Sequence, residues 1–290
     1  MPDPVNHARS RALLVATTVS PDPVIATMPA AAGSLAGMRE VLTDPALCGW
    51  PGTSVTSVQD TSDPRALLHT LRTLAGEAEE ILLVYFAGPG ILLSHSQLCL
   101  GLAGTRLHDA EDGGLPYAQV RSAVLKSHAR LKVVILDCSY SGRVIPGPPA
   151  IGVAELTSIS ETYVLTASDR EADLGHANVS AFTAELVATI RAGVPGGPPA
   201  LTLDDLYPRL AGRLRQEGRS APNRESTGLA GQRPFTRNAR HGPPPPPPHD
   251  DAVLSRRAAF SRRRVIAIAG GVAAVAGSTV RFLEVIYVKE

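Results

Sequence analysis

Cysteine is scarce in this 290-residue chain: Cys48, Cys99 and Cys138 lie far apart, with no Cys-x-x-Cys pair and no Cys/His spacing suited to a metal. That excludes a disulfide framework and a zinc site, and it suits a reducing compartment. An excess of charge of either sign is also missing. The formal net charge is +1, which argues against a nucleic-acid binder working through a broad basic face. Long apolar runs are few. Near the N-terminus the run Ala12–Val19 is short for the apolar region of a secretion signal, and no small-residue cleavage pattern follows it, so it reads as a first buried strand. The glycines of Ala87–Gly90 (AGPG) fit neither G-x-G-x-x-G nor the phosphate-loop pattern ending in Gly-Lys-Ser/Thr. No cofactor and no metal is expected.

What is present is apolar residues, 44% of the chain. That is enough for the core of one domain of about 230 residues, followed by a tail. Apolar runs at Ala12–Val19, Thr53–Val58, Ile81–Phe86, Val133–Leu136 and Tyr163–Ala167 read as strands, and helical signals separate them. Such alternation predicts an α/β domain, a largely parallel sheet with helices on both faces. Asp63 before Pro64 marks a helix start, with Leu67, Leu68, Leu71 and Leu74 as its apolar stripe. Pro116 opens a second helix, and Ser180 caps a third that Gly193 ends. Thr202 with Asp205 forms a capping box for a fourth, in which Pro208 should kink or delay the helix.

Two strand ends stand out: Ile81–Gly90 (ILLVYFAGPG) and Lys132–Gly142 (KVVILDCSYSG). Each is an apolar run expected to deliver a short polar turn to one edge of the sheet. In open α/β sheets, sites lie at the carboxyl ends of strands, where both turns would fall.

Both runs resemble the caspase-like peptidases (peptidase C14, metacaspase-like), whose hallmark forms are Y-[YF]-A-G-H-G and D-[CS]-C-x-S-G. Tyr163–Ser168 (YVLTAS), Ala181–Thr183 (AFT) and Leu203–Tyr207 follow in the family's order. Together with Ser220–Gly231 the pattern is most similar to caspase-like effectors of actinobacterial conflict and signalling systems. The resemblance spans Arg11–Asn238 and implies a three-layer, Rossmann-like caspase fold with a mostly parallel central sheet. The competing reading is a generic Rossmann-like domain that matches by chance.

At the family's catalytic positions the chain departs from the pattern: Pro89 stands at the His position and Ser139 at that of the nucleophilic Cys. A cysteine peptidase needs a thiol and an imidazole within hydrogen-bond reach. A serine hydroxyl substitutes for the thiol only if a base takes its proton, and proline has none to offer. Losing one such partner typically costs a factor of roughly 10^4 to 10^6 in turnover. The resemblance therefore implies a pseudopeptidase with both positions non-functional, binding a protein or peptide ligand. The alternative is an active peptidase that uses Ser139 or Cys138 with a displaced base such as His95; His69 and His176 have weaker claims. Alternation along an extended segment turns Cys138 away from the face of Ser139, toward the core, and Cys99 reads as core packing. The resemblance assigns Asp137 the role of holding a basic residue of the substrate, while the local chemistry equally allows it to cap the turn.

After Asn238 the composition changes. Residues 239–264 form a Pro-rich and basic linker: Pro243–Pro248 should be a stiff polyproline spacer, and Arg256, Arg257 and Arg262–Arg264 follow. The uncharged run Val265–Val280 is short for a membrane span. Residues 265–288 together reach that length, with Arg281 and Glu284 near one end and the preceding arginines holding the domain on the cytoplasmic side. The alternative is an interfacial or partner-packed helix. A third reading makes the chain a membrane-tethered scaffold acting through its Pro-rich segment. Residues 1–10 are an N-terminal tail.

Overall fold

The computed structural model describes residues 7–93, 97–141, 161–167 and 178–241, and at 139–141 the backbone alone. Five strands run parallel: β1 (Arg11–Ala16), β2 (Val55–Gln59), β3 (Ile81–Leu92), β6 (Leu131–Ser141) and β7 (Thr162–Thr166). Antiparallel β9 (Asn223–Ser226) closes the path in the order β2-β1-β3-β6-β7-β9. Two short strands, β4 (Leu98–Leu100) and β5 (Leu115–Pro116), extend the sheet beside the end of β3. A separate pair joins β8 (Ala200–Thr202) to β10 (Pro234–Arg237).

Strand alternation divides the apolar residues between two layers. Leu14, Leu83, Tyr85, Val133, Ile135 and Tyr163 face helices α1 (Ala30–Thr43), α5 (Ala181–Ala192) and α6 (Leu203–Gln216). Leu13, Val84, Phe86, Val134, Leu136 and Cys138 face α2 (Pro64–Glu77) and α4 (Tyr117–Leu125); α3 (Ala110–Gly113) is a single turn. The central strands are thus buried on both faces, which is why they read as unbroken apolar runs.

The helix starts follow local chemistry. The Asp63 carboxylate accepts from the backbone N–H groups of Arg65 and Ala66, both at 2.9 Å, and Pro64 costs nothing at a position whose N–H has no helical partner. Thr202 and Asp205 form the reciprocal capping box. Contrary to expectation, Pro208 does not delay α6, which already begins at Leu203. The box holds the first turn, and the single bond that Pro208 removes, to the Asp204 carbonyl, is lost at an exposed position.

Two strands differ from their expected lengths for one linked reason. β1 stops at Ala16 rather than Val19, opposite Ala87 of β3. In a parallel ladder the next rung toward β1 would need an N–H from residue 89, and that residue is proline. On the same side β4 then takes over, pairing Gly90–Leu92, and the Pro89 carbonyl accepts from Gly101 N–H at 2.8 Å. Residue 89 presents its backbone groups to this side only, so β6 loses nothing and pairs with β3 from Ile81↔Leu131 to Ile91↔Ser141. Ile81–Gly90 and Lys132–Ser141 are therefore continuous strand where turns were expected.

Helix α1 approaches the segment before α5 so closely that only glycine fits at residue 33: a Cβ there would lie 1.9 Å from the Asn178 carbonyl oxygen. Gly33→Ala should lower unfolding stability by about 2 kcal/mol or more. Gly76→Ala in α2, where a Cβ meets nothing within 4 Å, should be neutral or stabilise by about 0.4–1 kcal/mol. Urea unfolding of the two variants checks this opposition.

Candidate functional site

The carboxyl ends of β3 and β6 bring the two motif positions side by side. Pro89 and Ser139 are direct register partners on adjacent parallel strands. Pro89 is buried, and its ring packs over Gly101, where a Cβ would stand 2.9 Å from Pro89 Cγ. His95 and His176 lie outside the described residues. His69 is exposed on α2, whose apolar side packs against the layer containing Cys138.

Cys138 is 3% exposed and sits among the apolar side chains under α2 and α4. Burial, and then the neighbouring Asp137 charge, hold its thiol well above the ordinary range. Cys48 and Cys99 are also fully buried, and burial pushes both thiols up to about 12. A thiol in this state is a core group rather than a nucleophile.

Asp137 points into the opposite layer and is 3% exposed. Its Oδ2 accepts hydrogen bonds from Ser180 Oγ and, at 2.6 Å, from Thr183 Oγ1. Tyr85 OH lies 2.7 Å from Thr183 Oγ1 and 3.4 Å from Oδ2. Tyr85 has one proton and two acceptors in reach, Thr183 Oγ1 and, at the longer distance, Asp137 Oδ2 itself. On the other side Ser34 Oγ is 3.2 Å from Ser180 Oγ and accepts from the Ser180 N–H at 3.0 Å. Ser180 is also the N-cap of α5, accepting from Thr183 N–H at 3.2 Å. Burial, followed by the Asp137 charge, raises the Tyr85 hydroxyl far above its ordinary value, so it stays a neutral donor. Of these partners, Ser180 is legible as a helix cap and Thr183 belongs to the AFT patch. Tyr85 and Ser34 carry no sequence signal linking them to Asp137. Among the described residues, no group of three or more His, Cys, Asp or Glu side chains is placed to hold a metal.

A mostly parallel sheet between two helical layers makes this an open α/β domain, and both motifs end at adjacent strand ends on its carboxyl edge, where such domains keep their sites. The sequence matches no family model and no curated protein. Among solved structures, 167 chains match. One of them, the structure of pro-Sf-caspase-1, aligns with a TM-score of 0.56 at 11% identity, over 78% of this chain and 93% of that one. The fold is caspase-like; at this identity the likeness carries the fold alone.

The thiol environments give a direct check. The native protein at pH 8 should react with a disulfide reagent at none of its three cysteines on the timescale of an exposed thiol, and guanidinium should release all three. Rapid stoichiometric labelling of native Cys138 would place a competent sulfur at the surface.

Proposed function

We propose that this caspase-like domain is a pseudopeptidase, which binds a peptide or protein partner at the ends of β3 and β6 without cutting it. The observation that carries the reading is the register pairing of Pro89 with Ser139. The two positions that correspond, by sequence resemblance, to the catalytic pair are neighbours, as a proton transfer would require, yet one of them holds no base. A hydroxyl without a base has almost no nucleophilic fraction near neutral pH. Cys138, the nearest thiol in sequence, is committed to the other layer. A role in bacterial signalling or conflict follows from the family whose motifs the sequence resembles.

Reporter peptides with basic, acidic or apolar residues before the scissile bond test this reading. Wild-type protein should leave all of them uncut. Cleavage that Ser139→Ala abolishes would overturn the reading in favour of an active peptidase with a displaced base. The combined variant Pro89→His with Ser139→Cys asks whether the strand ends still accept a substrate, and any activity it gains should disappear on returning residue 139 to Ser.

We further propose that the C-terminal segment tethers the domain to the cytoplasmic face of a membrane. None of the described helices is long and apolar enough to cross a bilayer, and residues 265–288 lie outside the described residues. The support is the arginine cluster preceding an uncharged Ala/Gly/Val run, Val265–Val280. Residues Met1–Pro243 group as a compact unit, so a chain ending at 243 should remain in the soluble fraction while the full chain sediments with membranes and resists alkaline extraction. Equal partitioning of the two would remove the tether.

A further inference from the structure

The hydroxyls around Asp137 form one connected set. Ser34 donates to Ser180 and Ser180 to the carboxylate; from the other side Thr183 donates to the same oxygen, and Tyr85 OH lies within hydrogen-bond distance of both Thr183 Oγ1 and that oxygen. Four O–H dipoles drawn from α1, β3 and α5 thus point, directly or in relay, at one oxygen atom of β6. Such chains polarise one another and strengthen when their terminus is an anion. The N-terminus of α5, a 12-residue helix, adds its positive end to the same place.

A carboxylate that receives a substrate cation behaves differently. It must be wet while the site is empty and shed that water to the incoming charge. Here the water around Oδ2 has already been replaced by fixed donors at 3% exposure, and a guanidinium or ammonium group approaching that oxygen would have to break bonds that also cap α5.

We propose that Asp137 is a positioning residue, the internal fastener that holds the first turn of α5 to the ends of β3 and β6, and that ligand selection at this site does not use it as the counter-charge for a basic side chain. Only the second half rests on the peptide-binding reading given above.

The test uses the full chain and no peptide, so its outcome is separate from that reading. Hydrogen exchange is measured on wild type, Asp137→Asn and the milder Thr183→Val, and thermal unfolding is followed with and without agmatine, a free mimic of an arginine side chain. Both variants should melt below wild type. Amides in the first turns of α5 should exchange ~10-fold faster or more while those of β1 and β2 change little. Agmatine should leave the wild-type melting temperature unmoved. Should Asp137→Asn fail to fold, Thr183→Val and the agmatine arm still decide. Unchanged exchange in α5 of Thr183→Val would overturn the fastener. Stabilisation of wild type by agmatine that Asp137→Asn loses would overturn the claim about selection.

Discussion

Burying a carboxylate is costly unless donors replace the water it loses, and in this domain that requirement is met by side chains from elements remote in sequence. Ser34, Tyr85, Asp137 and Ser180 with Thr183 come from α1, β3, β6 and the start of α5, and the distance Ser34–Ser180 spans 146 residues of chain. An isolated buried charge would shift to its neutral form or unfold its surroundings. The charge is tolerated only while these elements keep their mutual placement, so the cluster specifies one arrangement of helical layer against sheet more sharply than apolar packing can. Close approach of α1 at Gly33 to the Asn178 carbonyl follows from the same demand, because Ser34 reaches Ser180 only when the two backbones nearly touch.

Around this polar tie the apolar layers supply bulk stabilisation without much direction. Fully burying a Leu, Val or Phe side chain contributes about 1.5–3 kcal/mol, and both faces of β1, β3 and β6 carry such residues. Their alternation determines which side chain goes to which layer. It therefore separates Asp137, turned toward the hydroxyls, from Cys138, turned into the apolar layer, although the two are consecutive. One strand thus places a carboxylate among hydrogen-bond donors and a thiol among apolar side chains.

Much of this architecture is legible in the sequence because its signals are local. The unbroken apolar runs of β3 and β6, the cap at Asp63–Pro64, the cap at Ser180 and the box of Thr202 with Asp205 each depend on residues within a few positions of one another. Helix α1 was less visible: its sequence, AAAGSLAGMREVLT, is rich in small residues, and Pro29 before it makes no side-chain cap bond. The lengths of β1 and β3 were not legible either, since they depend on which strand supplies the next rung, and that is a property of the assembled sheet. Most of the Asp137 cluster was hidden for the same reason. Tyr85 and Thr183 are 98 residues apart, and no spacing rule connects a tyrosine within an apolar strand to a threonine one turn into a distant helix.

Pro89 deserves to be seen as topology as well as lost chemistry. It stands where β3 exchanges one neighbour, β1, for another, β4, and an imino acid suits such a seam because it asks neither neighbour for an acceptor. Any residue with a backbone N–H would invite the β1 ladder to continue through Thr17, competing with the loop that leaves β1 for α1. Reinstating histidine at this point would thus alter the path of the chain at the mouth of the sheet, so a side-chain change and a backbone change would arrive together.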